Sequence, residues 1–248
     1  MSGPDVLLVL GAGLFAGLIN AIVGSGSLLT FPVLLAIGYS PIVANVSNTV
    51  GMAFGNVSGV VGYRRELAGQ RSRMLGLGVY STLGALAGAI LLLALPERVF
   101  HGVVPVLVLL ATVLVIVQPR LTALLEAHRE HRYSALALRA GVFLTAIYGG
   151  YFGAAQGVLL IGLMGLFLDE DLQRINALKN VLAAFTNGVA ALVFAVFAHV
   201  SWPAAVLLAV SSVVGGQIGS AVGRRLPPGV LRAVIVVGGV AAVVKLLA

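Results

Sequence analysis

The stretch YGGYFGAAQGVLLIGLMGL, Tyr148 to Leu166, is too apolar for a surface loop and too rich in glycine for an uninterrupted helix. Where it breaks, and why, decides the fold. The whole chain shares its character: apolar residues make up 60% of 248 and charged residues 9%, a balance that a water-soluble domain does not reach. The sequence therefore reads as an integral membrane protein. Its apolar runs are long and lack the period-two alternation of an outer-membrane barrel, so the spans are helices. There is no cysteine, hence no disulfide framework and no thiolate metal site. The first apolar run lacks a basic leader and passes straight into further spans, so it is expected to remain in the mature chain.

Apolar segments cover Val6 to Val23, Ser27 to Ile37, Ile42 to Tyr63, Met74 to Leu95, Val103 to Val117, Leu138 to Phe152, Gly157 to Leu168, Ile175 to Ala198, Trp202 to Val222 and Val230 to Leu247. Six are long enough to cross a ~30 Å hydrocarbon core at ~1.5 Å per residue. The other four form two pairs, joined at Gly24-Ser25-Gly26 and at Gly153-Ala154-Ala155-Gln156-Gly157. A shift of 131 residues superposes the breaks: Gly26 falls on Gly157, Asn45 on Asn176, Asn56 on Asn187, Gly84 on Gly215, Gly88 on Gly219 and Pro96 on Pro227. The chain is an internal repeat. Residues 1–118 are expected to form one membrane repeat, 119–137 a cytoplasmic linker and 138–248 the second repeat, together a single domain.

Arginine and lysine decide how the repeats face. If each broken pair crossed the membrane once, the 15 cations would be spread over both faces. If each pair is a hairpin returning to its own side, all but Arg98 and Lys245 share one face, which the positive-inside rule makes cytoplasmic. The expected fold class is therefore an all-α integral membrane protein with two inverted repeats, each a broken-helix hairpin plus three transmembrane helices. The expected location is the bacterial cytoplasmic (inner) membrane, multi-pass, in contact with the lipid bilayer. The net charge of +7 sits in the connections, where it orients the chain and calls for no nucleic acid.

Inverted-repeat transporters place their substrate near the midplane, at interrupted helices in equivalent positions. Helix N-termini starting at about Ser27 and Gly157 would offer free amides and a partial positive charge to an anion. Gly24, Gly26, Gly153 and Gly157 would admit close backbone approach, and Ser25, Ser27 and Gln156 add side-chain donors. Tight helix packing is the alternative use of such glycines. Asn45, Asn48 and Asn56 lie along one face of one segment, and Asn176, Asn180 and Asn187 along its counterpart. Buried amides must turn inward, to ligand or to a neighbouring helix. Asn45, Asn48, Asn176 and Asn180 are the candidates for substrate, with Asn56 and Asn187 structural. Lys179 either pairs with an anionic substrate or snorkels to the cytoplasmic end. Asp169-Glu170-Asp171 reads as a helix cap, and the runs at 63–73 and 126–134 as solvated loops.

No HExxH, GxSxG or Walker loop is present, so neither an enzyme nor a cofactor is expected. No carboxylate lies within an expected span, which leaves no proton relay of the usual kind. The Gly84, Gly88, Gly215 and Gly219 segments would serve either interior packing or a homo-oligomer interface.

The motifs GLINAIVGSGSLLTFPVLLAIG (Gly17 to Gly38), ANVSNTV, YGGYFGAAQGVLL (Tyr148 to Leu160) and INALKN (Ile175 to Asn180) resemble the sulfite exporter TauE/SafE family nearly end to end. Ala155 stands where that family often has glycine. The resemblance implies export of a small sulfur-containing anion, sulfite or an organosulfonate, by alternating access. A passive anion channel, a permease for a small carboxylate, and a structural membrane protein are the competing readings.

Overall fold

The computed structural model describes residues 1–127 and 134–222. Within them the chain is helical, with no strand: α1 (Gly3–Ile22), α2 (Ser27–Ala36), α3 (Pro41–Gly62), α4 (Arg71–Ala94), α5 (Glu97–Ala127), α6 (Ala135–Tyr151), α7 (Gln156–Phe167), α8 (Leu172–Phe197) and α9 (Trp202–Val222). Local chemistry sets most of these limits. Ser2 and Asp5 form a capping box at the start of α1, Pro41 opens α3 at a position where its missing N–H is harmless, and the Asp171 carboxylate accepts from Gln173 N at 2.9 Å to cap α8. The α1–α2 and α6–α7 pairs break where the sequence expects, around Gly24 and around Gly153 to Gly157.

Two boundaries differ from the sequence reading. Helix α5 continues through Ala127 into the stretch read as a linker, and α1, read as one arm of a hairpin, is long and apolar enough to cross a bilayer by itself. Five described helices meet that standard: α1, α4, α5 up to Val117, α8 and α9. Helix α3 falls outside the set because Asn45, Ser47, Asn48, Thr49, Asn56 and Ser58 make it polar, yet all six are buried. The last apolar segment, Val230 to Leu247, lies outside the described residues, as do His128 and His131 of the 126–134 run.

Packing follows the 131-residue repeat. Helix α1 lies against α9 as α6 lies against α4; α3 meets α9 as α8 meets α4; α1–α2, α2–α3 and α1–α3 have counterparts in α6–α7, α7–α8 and α6–α8; and α3–α8 is its own counterpart. Hydrogen bonds repeat as well: Ser81 Oγ donates to Leu182 O at 2.9 Å and Ser212 Oγ to Gly51 O at 3.4 Å, positions related by the same shift. The halves are thus interleaved, the first helix of each packing on the fourth of the other. Glycines allow it. A Cβ on Gly84 or Gly88 would run into the α6 carbonyls of Phe143 or Ile147, and one on Gly215 or Gly219 into the α1 carbonyls of Leu14 or Leu18. These four glycines, open in the sequence between interior packing and a protomer interface, pack helices inside the chain.

Outward-facing positions are apolar, including Leu7, Leu144, Leu192, Val196 and Phe197, as lipid contact requires. At one end of the bundle Ser201 Oγ donates to Tyr39 Oη at 2.8 Å and Ser201 N to Ser47 Oγ at 2.8 Å. At the other, Glu170 accepts from Arg73 and, at 2.6 Å, from Arg174 Nε, while Gln70 Nε2 donates to Arg174 O at 3.2 Å. Asp171 alone of the Asp169–Asp171 run caps α8; Glu170 ties the α3–α4 connection to the α7–α8 connection.

Two outcomes follow from this packing. Gly88→Val sets a branched side chain against backbone and is expected to destabilise by ~1–3 kcal/mol or more, whereas Gly76→Ala on the same helix, with open space around it, is expected to raise the melting temperature, by the ~0.5–1 kcal/mol that alanine gains over glycine in a helix. Hydrogen bonds from Arg73, then from Arg174, hold the Glu170 carboxyl below its ordinary value. Its contribution is therefore present above that ordinary value and is lost as pH falls through the depressed one; Arg73 is 42% exposed, so it is at most about 1 kcal/mol. A melting-temperature profile of Glu170→Gln should be flatter than wild type across that acid window.

Candidate functional site

The two breaks meet. Gly24 has φ +83, a left-handed conformation that ends α1 and turns the chain back into α2. Its carbonyl accepts from Gly157 N at 3.0 Å, and a Cβ on either glycine would collide with the Cα of the other. Ala155, the repeat counterpart of Gly24, is also left-handed at φ +58, although it carries a Cβ. Such a conformation costs an L-residue ~1–2 kcal/mol. Gly26, Ser25 and Gln156 are buried beside this contact, with Ser27 and Gly153 half-buried at its margins.

Breaking a helix at membrane depth frees carbonyls that lipid cannot satisfy. The partners come from α3 and α8. Asn176 Nδ2 and Asn180 Nδ2 each donate to Ala21 O at 3.2 Å, and Lys179 Nζ donates to Asn20 O at 2.8 Å and Ala21 O at 3.3 Å, all at the end of α1. Across the pseudo-symmetric arrangement, Asn45 Nδ2 donates to Tyr151 O at 2.9 Å, at the end of α6. Asn48 takes a hydrogen bond from Thr30 of α2. Asn56 accepts from Asn20 and donates to Ala183 O at 3.5 Å, and Asn187 donates within its own helix to Ala183 O at 3.2 Å.

The structure therefore brings Gly24, Ser25, Gly26, Gly157, Gln156, Asn176, Lys179 and Asn180 to one place. Asn45 and Asn48 hold the neighbouring α6 end and α2. Lys179 does not reach the cytoplasmic end: it is 0% exposed, with its aliphatic stem against Gly24 and Gly157. The helix N-termini are less open than the sequence suggests. In α7, Gln156 N, Gly157 N and Val158 N donate to the carbonyls of Gly153, Gly24 and Ala155. At the start of α2, Gly26 N donates to Asn20 Oδ1 at 3.4 Å and Leu28 N to Ser25 O at 3.1 Å.

What stays open is on side chains. Ser25 Oγ, Gln156 Oε1 and Asn176 Oδ1 are buried without a hydrogen-bond partner. Ser25 and Gln156 are repeat counterparts, one at each break. Sequence reasoning missed Asn20, Ser81, Tyr148 and Thr186, which support the site: Tyr148 Oη donates to Ala154 O, and Gln156 Nε2 donates to Thr186 Oγ1 at 3.0 Å. The usable signal was polarity inside apolar segments, and for Ser81 its match to Ser212 in the repeat. Phe152 packs edge-on to Phe31 at 5.3 Å and against Phe100 at 6.4 Å, an aromatic plug between the second break and α2 and α5.

The family model for the sulfite exporter TauE/SafE matches residues 9–246, so the chain belongs to that family. It is 28% identical over 210 residues to the "Probable membrane transporter protein YfcA" of Escherichia coli strain K12, covering 84% of this chain and 76% of that one. It is 25% identical over 239 residues to the "Probable membrane transporter protein ORF9" of Sinorhizobium sp, covering 96% and 90%. A "Probable membrane transporter protein" of Haemophilus influenzae is 25% identical over 221 residues, covering 88% and 85%. No solved structure matches. The chain is thus a multi-pass membrane protein of a transporter family.

Relieving the one left-handed alanine tests the geometry of the second break. Ala155→Gly is expected to raise the melting temperature, because ~1–2 kcal/mol of conformational strain outweighs the ~0.4–1 kcal/mol of extra unfolded-chain entropy. An unchanged or lower value would mean that Ala155 is not held in that conformation.

Proposed function

We propose, from membership of the TauE/SafE family, that the chain is a secondary transporter that exports a small sulfur-containing anion, sulfite or an organosulfonate, across the bacterial inner membrane by alternating access. One observation carries the choice of an anion: Lys179 is fully buried at the crossing of the two breaks, and its recorded partners are the carbonyls of Asn20 and Ala21. Lys179 makes no ion pair among the described residues. An ammonium in low dielectric without a counter-charge costs several kcal/mol, and a bound oxyanion supplies that counter-charge. Ser25 Oγ, buried without a partner, then adds a donor to its coordination.

Inverted topology is supported by which connections meet. Tyr39 pairs with Ser201, and Arg73 with Glu170. If each broken pair crossed once, the members of both pairs would lie on opposite faces of the membrane; with hairpins, each pair shares a face. Residues 1–118 and 138–248 are then the two halves whose rocking alternates access. The backbone contact at Gly24–Gly157 and the aromatic plug favour an occluding carrier over a continuously wet channel.

Lys179→Met keeps the stem and removes the charge. It is expected to weaken sulfite-induced thermal stabilisation by at least ~30-fold in apparent affinity, from the ~2–5 kcal/mol of a buried charge contact, and to abolish saturable uptake into proteoliposomes. Wild-type affinity in the variant would overturn the site. Flux that does not saturate, seen as conductance in a planar bilayer, would make the protein a channel.

A further inference from the structure

Where α4 and α6 begin side by side, a cleft of about 250 Å³ lies between them, lined by Ser72, Arg73, Gly76 and Leu77 of α4 and Leu138 and Arg139 of α6. None of its lining residues among those described is acidic. Arg139 makes no ion pair among the described residues, and its guanidinium lies 6.0 Å from the centre of the Tyr80 ring, which turns it back toward α4. Arg73 gives one nitrogen to Glu170, yet 42% of its side chain stays exposed. Of the carboxylates just beyond α7, Glu170 is held by Arg73 and Arg174, and Asp171 caps α8. Along the same two helices Leu75, Val79 and Leu83 of α4 and Leu136 and Leu144 of α6 face outward. The cleft is thus a cationic notch at the edge of an apolar wall.

The repeat separates what the fold requires here from what has been added to it. At the shift of 131 residues Arg73 falls on Ala204, Arg139 on Leu8 and Gly76 on Leu207, so the equivalent corner between α9 and α1 keeps the helix pair and lacks both cations. Helix packing therefore does not call for them. Orientation of the chain calls for arginines at this end, but Arg64 and Arg65 in the α3–α4 connection already serve that need. A phosphodiester fits the remaining features: its oxygens suit the forked guanidinium donors, the starts of α4 and α6 add the positive ends of two helix dipoles, and the outward leucines suit acyl chains. We propose that this cleft binds the head group of an anionic phospholipid of the adjoining leaflet, with the phosphate between Arg73 and Arg139 and the acyl chains along the outward faces of α4 and α6. A soluble phosphate would meet the arginines but gain nothing from those faces. Because α4 belongs to the first half of the chain and α6 to the second, the lipid ties the halves together at the end where Arg73 and Glu170 already join them.

The test titrates dioleoylphosphatidylglycerol, dioleoylphosphatidylcholine and inorganic phosphate against the purified full-length protein in a neutral detergent, with thermal stability as the readout, at ~0.15 M salt so that distant charges are screened. Phosphatidylglycerol is expected to raise the melting temperature saturably, and the other two to leave it unchanged. Arg139→Gln should weaken the apparent affinity for phosphatidylglycerol at least ~tenfold, the loss of a charge-assisted hydrogen bond, whereas Arg64→Gln, outside the cleft, should change it less than ~twofold. Gly76→Leu, the residue of the counterpart position, enters open space in the cleft and touches no charge; it too should weaken phosphatidylglycerol binding, and it keeps the test decisive should Arg139→Gln fail to fold. Equal stabilisation by phosphatidylcholine overturns the proposal. An Arg64→Gln effect as large as that of Arg139→Gln reduces it to surface charge and overturns the site, as does unaltered affinity in Arg139→Gln or, where that variant does not fold, in Gly76→Leu. Stabilisation by inorganic phosphate to the same extent makes the ligand a soluble anion and overturns the lipid. None of these residues lies at the helix breaks, so each result leaves the transported anion a separate question.

Discussion

The backbones of Gly24 and Gly157 touch, and neither position has room for a Cβ. The remaining features of the protein's centre follow from that contact. The contact lies where each helix pair is broken, and a broken helix strands carbonyls at a depth where lipid offers no donor. The polar residues of α3 and α8 answer that need: Asn176, Asn180 and Lys179 satisfy the end of α1, and Asn45 the end of α6. Their polarity turns one face of α3 and of α8 inward, while Phe54 and Val57 of α3 and Leu192 and Val196 of α8 face outward.

On the proposed reading, the same groups would serve structure and ligand recognition at once. Lys179 caps α1 with two of its donors while its charge lacks a carboxylate partner. In the proposed transport cycle, an anion arriving there would compete with the carbonyls of Asn20 and Ala21 for the ammonium, and so would loosen the end of α1 next to Gly24. Binding and movement of the hairpin would, on that reading, be coupled through one side chain.

Glycine placement made the breaks legible in the sequence, because no other residue explains Gly24, Gly26, Gly153 and Gly157 inside apolar segments. The repeat was legible because its Gly, Asn and Pro matches fall at one ungapped shift, and the helix pairs recur under that shift. Other features needed three dimensions. Whether Lys179 snorkels depends on its neighbours, and only packing shows its stem lying across Gly24 and Gly157. The open helix N-termini expected of α2 and α7 assume that nothing nearer takes the amides, yet the Gly24 carbonyl, 133 residues earlier in the chain, takes that of Gly157. Thr186 and Ser81 went unnoticed because a lone hydroxyl in an apolar helix commonly bonds its own backbone, and its partner on another helix leaves no trace in spacing.

The central claim is that the meeting of the two breaks, with Lys179 beside it, is where the anion binds. An experimental structure with selenite, the heavier analogue of sulfite, tests this most directly, because selenium can be located by its anomalous scattering. The account predicts one selenium peak whose oxygens lie within hydrogen-bond distance of Lys179 Nζ and Ser25 Oγ. A saturated crystal with its selenium elsewhere, for example in the surface cleft lined by Pro96, Glu97, Arg98 and His101, would contradict it.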